Sequence, residues 1–161
     1  MRAPTTITDF FQRDHREIDA LYHGALERAR EGAAGPALST FEEYDRSLER
    51  HIRWEEDLVF PAFEEASGLR GGGPTEVMRA EHREIRALKQ RLRAQIAALR
   101  GPADRTAPLW ETARSLERVL REHNAKEESV LYLACDQTLP RESRAGILRQ
   151  VAAEKAPAPR T

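Results

Sequence analysis

Apolar positions recur along this chain at alternating steps of four and three, over four long stretches. The clearest runs Leu109, Ala113, Leu116, Leu120, His123, Glu127, Val130, Ala134, and another runs Met78, His82, Ile85, Lys89, Leu92, Ile96, Leu99. The earlier two read Phe11, His15, Ile18, Tyr22, Ala25, Ala29 and Phe41, Tyr44, Leu48, His51, Glu55, Leu58, Ala62. Steps of this kind lay one stripe along an α-helix, the stripe a helix buries in a bundle. Val, Ile and Thr are sparse between the turns while Ala, Leu, Glu and Arg dominate, so the pattern predicts helices and no strands.

Glycine and proline punctuate the stripes at 32–36, 68–74 and 101–108, and Pro140 precedes a shorter last segment. Pro36 and Pro74 suit first helical turns, and Gly101 suits a helix C-terminus. Short connections force sequential helices to run antiparallel. The expected fold is therefore all-α, an up-down-up-down four-helix bundle with a short fifth helix from Pro140 to about Ala153. One domain spans 5–153, and the APAPRT ending belongs to a disordered tail over 154–161.

Composition narrows the partners. With 161 residues, Lys+Arg 26 against Asp+Glu 27, and a net charge of −1, the chain lacks the basic bias of a nucleic-acid binder. No stretch approaches the ~20 apolar residues that cross a bilayer, and the N-terminus lacks the apolar run of a signal peptide. The expectation is a cytoplasmic protein of open oligomeric state, a monomer being favoured because heavily charged outward helix faces suggest no large obligate interface. The single cysteine, Cys135, excludes an internal disulfide framework and any thiolate cluster.

The stripes carry residues that a core rejects. Four of the five histidines (His15, His51, His82, His123) fall on them, one per helix, and so do Glu55 and Glu127, each four residues after a stripe histidine. A lone buried carboxylate costs several kcal/mol or neutralises itself, so each needs positive charge nearby. The one stripe cation, Lys89, lies two turns from His82; a metal ion answers the need. The sequence also repeats. DHREIDAL (14–21) aligns with EHREIRAL (81–88), and His51-x-x-x-Glu55-Glu56-Asp57-Leu58-Val59-Phe60 aligns with His123-x-x-x-Glu127-Glu128-Ser129-Val130-Leu131-Tyr132. Residues four apart share a helix face, so each half offers one His plus a His/Glu pair to a common centre. At ~1.5 Å per residue, the offsets from the turns bring the histidines of each hairpin within roughly one helical turn of the same level. Four imidazoles and two carboxylates without sulfur suit iron, manganese or zinc. Iron suits best, since redox-inert zinc gains little from paired, partly open coordination.

A histidine, then His-x-x-x-Glu, repeated once on four helices, resembles the hemerythrin-like HHE cation-binding family over about residues 5–135. The resemblance implies a non-haem di-iron centre with oxo and carboxylate bridges, His15, His51 and Glu55 belonging to one half and His82, His123 and Glu127 to the other. Oxygen-carrying hemerythrins use a fifth histidine one turn after the third-helix ligand, where this chain has Arg86, and an Asp on the fourth helix spaced one residue further. The four-His, two-Glu set is similar to that of bacterial proteins repairing iron centres after nitrosative stress. Those usually add an N-terminal cysteine-containing domain, which this sequence does not include. The expected function is binding of O2, NO or peroxide for sensing, scavenging or handling iron and redox stress. The alternatives are a di-iron oxidase or peroxidase-like enzyme, with Tyr22 or Asp19 as proton donor, and a metal-free structural bundle.

Neighbouring residues divide by position. His23 lies about 80° around from His15 and reads as surface. Glu56 and Glu128 read as solvated neighbours of the stripe, the alternatives being an acceptor behind a ligand or an alternate ligand. Asp19 either accepts from a ligand imidazole or pairs with an arginine. Tyr22 and Tyr44 read as packing, the alternative being the lining of a ligand pocket. Cys135, Trp54, Phe60 and Phe63 read as core.

Overall fold

The computed structural model describes residues 6–102 and 107–156, and among these the only regular elements are helices. The tail expected at 154–161 falls largely outside them, although α7 continues through Glu154 to Lys155. Four rods form the up-down-up-down bundle. The first is α1 (Ile7–Arg30). The second joins α2 (Ala34–Trp54) and α3 (Phe60–Ser67) through a π-turn at Glu55–Val59. The third is α4 (Pro74–Ala97). The fourth joins α5 (Pro108–Lys126) and α6 (Tyr132–Thr138) through a π-turn at Glu127–Leu131. The short fifth helix is α7 (Arg141–Lys155).

Local chemistry sets the ends. Thr6 caps α1 by accepting the Asp9 N–H at 3.0 Å, and Pro74 and Pro108 open their helices where a missing N–H costs nothing. Gly32 turns α1 into α2 at φ +84°, and a Cβ there would sit 2.7 Å from the Pro102 nitrogen. Both the left-handed backbone and the close approach require glycine. Helix α4 stops at Ala97, ahead of Gly101.

The π-turns change which residues face inward. Each inserts one residue into the helical count, so the stripe steps four residues past the glutamate rather than three. Val59 and Leu131 are buried where the simple alternation placed Leu58 and Val130; Leu58 is half-buried and Val130 is 58% exposed. Further along, Phe63 and Cys135 are buried, and Ala62 and Ala134 are only half-buried.

Two apolar clusters fill the bundle. One holds Ile18, Tyr22, Phe41, Tyr44, Leu92, Ile96 and Leu116. The other holds Ile7, Phe11, Trp54, Phe60, Tyr132, Cys135, Ile147 and Val151. The four stripe histidines and two glutamates lie between the clusters, so the core is interrupted by one polar layer. Helix α7 docks against the second cluster, where Trp54 Nε1 donates to Glu154 Oε2 at 2.6 Å and Lys155 Nζ donates to Asp14 Oδ1 at 2.6 Å.

Candidate metal centre

All six residues of the layer are buried, Glu55, Glu127 and His82 completely. They form two groups that share both carboxylates. His15, His51, Glu55 and Glu127 offer one atom each within 4.8 Å of one another, and so do His82, His123, Glu55 and Glu127. Each glutamate divides its oxygens between the groups. Glu55 Oε1 lies 3.5 Å from His51 Nε2, while its Oε2 lies 3.2 Å from His82 Nε2. Glu127 Oε2 lies 3.4 Å from His15 Nε2, while its Oε1 lies 2.9 Å from His123 Nε2.

The outward nitrogens explain how the rings are aimed. His15 Nδ1 meets Glu128 at 2.7 Å, His51 Nδ1 meets Asp14 at 2.7 Å, His82 Nδ1 meets Glu56 at 2.9 Å, and His123 Nδ1 meets Glu81 at 2.9 Å. A carboxylate accepts, so each Nδ1 carries a proton, and in the neutral imidazole each Nε2 turns a lone pair inward. The outer carboxylates are themselves held: Asp14 by Lys155, Glu81 by Lys126, and Glu56 by Arg86, which contacts it at 3.0 Å and forks onto Glu49 at 2.8 Å. Arg86, standing where oxygen-carrying hemerythrins have a fifth histidine, thus braces the His82 partner.

With Nε2 lone pairs and carboxylate oxygens facing one another, the layer is rich in acceptors. Glu55 Oε2 and Glu127 Oε1 have no room for water and accept no well-directed hydrogen bond, despite the imidazole nitrogens 3.2 and 2.9 Å away. His82 Nε2 and His123 Nε2 face each other at 3.2 Å. Lys89 does not relieve them, because its ammonium sits 2.7 Å from Asp45 and 3.3 Å from Glu49. Orphaned buried acceptors around a common centre are the donor set of a cation, so these residues fit a metal.

Without metal, protons must balance the charge. Burial opposes charge on His51, but Glu55 and Asp14 outweigh it and raise the imidazole to about 10. Burial likewise opposes charge on His82, and the neighbouring carboxylates of Glu127 and Glu55 raise it to about 10. Burial pushes the Glu127 carboxyl up, yet His123, His15 and His82 hold it well below the ordinary range. Asp14 is drawn down to about 2 despite its burial, chiefly by His51.

The match to known proteins follows this geometry. The family model for the hemerythrin HHE cation-binding domain covers residues 6–135. The chain belongs to that family. No curated protein and no solved structure matched. This HHE domain brings together all six residues singled out by the sequence, and it adds residues the pattern weighed only as an alternative or passed over. Glu56 and Glu128 are acceptors behind the imidazoles rather than merely solvated neighbours. Asp14 and Glu81, each immediately before a stripe histidine, serve the His of the adjoining helix. The repeat carried this signal, since DHREIDAL and EHREIRAL place an acid at the same point in both halves. Tyr132 was missed as well: its buried hydroxyl donates to Glu55, lies 3.1 Å from Glu127 Oε2, and stands 3.4 Å from both His15 Nε2 and His51 Nε2.

The remaining candidates lie outside this layer. Tyr22 donates to the Ala113 carbonyl at 2.7 Å, and Tyr44 is packed against it with a buried hydroxyl that finds no partner. Asp19 is not the acceptor for His15, whose Nδ1 belongs to Glu128; it lines a cleft of about 480 Å³ between α1 and α5, with His15 and Glu128. His23 is exposed at the same cleft, 3.7 Å from Glu117. No described helix is long and apolar enough to cross a membrane.

Proposed function

We propose that this HHE domain is a cytoplasmic non-haem di-iron protein. It binds O2, NO or peroxide, and serves in sensing, scavenging or handling iron and redox stress. The observation carrying this reading is the aim of the four imidazoles: each is fixed at Nδ1 by a carboxylate and turns Nε2 toward two buried glutamates that face both histidine pairs. His15 and His51 would hold one iron and His82 and His123 the other, with Glu55 and Glu127 available to both. Bound iron would supply a redox couple and an open position for a diatomic ligand. The chain's own part is to fix the tautomers, neutralise charge and exclude water. The apolar clusters on either side of the layer keep bulk solvent from its six buried residues.

Metal analysis of the purified and iron-reconstituted chain tests the reading; two irons per chain support it, and a chain that takes up none contradicts it. The enzyme reading, an oxidase or peroxidase-like catalyst, draws support from the cleft beside His15, where burial pushes the Asp19 carboxyl above its ordinary value. Steady-state turnover of peroxide by the iron-loaded chain separates the two: sustained turnover favours the enzyme, stoichiometric binding the sensor or scavenger.

A further inference from the structure

The two halves of the layer repeat each other closely, and they differ at one position that touches the centre. Five residues after Glu55 stands Phe60; five residues after Glu127 stands Tyr132. Both follow a π-turn, and both are fully buried. Phe60 stacks on His82 with ring centroids 5.7 Å apart and planes within 13°, so it closes one side of the His82/His123 half with hydrocarbon. Tyr132 brings an oxygen into the other half instead. That oxygen touches Glu55 Oε1, lies 3.1 Å from Glu127 Oε2, and stands 3.4 Å from His15 Nε2 and from His51 Nε2. Adjacent donors around one ion stand about 3 Å apart when each is about 2.1 Å from it in octahedral geometry. The phenol oxygen therefore keeps close to the spacing of a co-ligand with Glu127, His15 and His51, and it touches the fourth donor, Glu55.

Resting on the di-iron reading above, we infer that Tyr132 is a seventh protein ligand, binding as a phenolate to the iron held by His15 and His51, and that the centre is asymmetric. Charge favours it. Two carboxylates leave a ferric pair strongly positive in a buried layer, and a phenolate removes one further charge. As the oxygen–iron bond forms, the O–H bond to hydrogen is lost and the proton leaves to solvent; no electron moves. One iron then has five protein donors, with only the solvent-derived bridge left to complete it, and the open position for a small molecule belongs to the His82/His123 iron beside Phe60.

The test is the visible and resonance Raman spectrum of the full chain loaded with iron and oxidised to the ferric state. A phenolate-to-iron(III) charge-transfer band with enhanced tyrosinate ring modes is expected. Tyr132→Phe should keep the iron content and lose that band completely. Because the chain has three tyrosines, the Tyr22→Phe/Tyr44→Phe double variant assigns the band independently should Tyr132→Phe not fold: the band must persist in it. An iron-loaded wild type without the band, or a band that survives Tyr132→Phe or vanishes from the double variant, overturns the inference and leaves the di-iron reading standing. A wild type that binds no iron overturns both.

Discussion

Every imidazole of the polar layer is gripped at one nitrogen by an acid and turned toward the centre at the other, and this division decides what single substitutions do. Asp14→Asn keeps the shape of the residue but no longer presents a carboxylate to His51. Loss of such an orienting acid typically weakens metal binding 10–100-fold, and competition titration with a chelator should find a fall of that order with the helical circular dichroism unchanged. An unchanged affinity would mean that His51 is aimed by packing alone. The acids were only partly legible in the sequence. An acid next to a histidine on the same helix points about 100° away from it, so Asp14 and Glu81 look like solvent-facing residues until the adjoining helix supplies their true partners, His51 and His123. Tyr132 was hidden for a related reason: the alternation placed Val130 inward, and only the extra residue of the π-turn rotates Tyr132 toward the centre.

At the scale of the element, the helices, their order and their antiparallel course were legible because a 3.6-residue period is written repeatedly and the turns are marked by Gly and Pro. The π-turns were not, because an inserted residue changes hydrogen-bond partners without changing composition. They make a prediction opposite to the uninterrupted stripe. Leu131→Ala should cost about 2–5 kcal/mol, as for a buried leucine, whereas Val130→Ala, at an exposed position, should stay within about 0.5 kcal/mol. Urea unfolding of the two variants checks this, and equal costs would restore the regular helix. Helix α7 is likewise more than an appendage. Truncation after Leu139 removes buried Ile147 and Val151, each worth on the order of 1.5–3 kcal/mol, and frees Asp14 from Lys155. The truncated chain should melt at a lower temperature and bind metal more weakly. Unaltered metal affinity would separate the helix from the centre.

Over the whole molecule the layer couples folding, protons and metal. The histidines lie above their ordinary 6.5 in the metal-free fold, with His51 and His82 near 10, so their stabilising contribution is complete below pH 6.5 and is lost as pH rises toward 10. The carboxylates Glu55 and Glu127 lie below their ordinary 4.5 and Asp14 falls from 3.8 to about 2, so their contribution is present above those ordinary values and is lost as pH falls through the depressed ones. The metal-free chain should therefore be most stable between about pH 4.5 and 6.5. Metal needs neutral imidazoles, and its binding releases protons. The gap in melting temperature between metal-loaded and metal-free protein should widen from pH 5.5 to pH 8, and a constant gap would show that protons do not hold the empty layer together. The account depends most on Glu55 and Glu127 being buried because cations neutralise them. Its most direct measurement is the iron content per chain of wild type and of the Glu55→Gln/Glu127→Gln double variant after anaerobic reconstitution. Two irons in the wild type and near none in the variant are predicted. Equal iron in both, or none in either, would contradict the account.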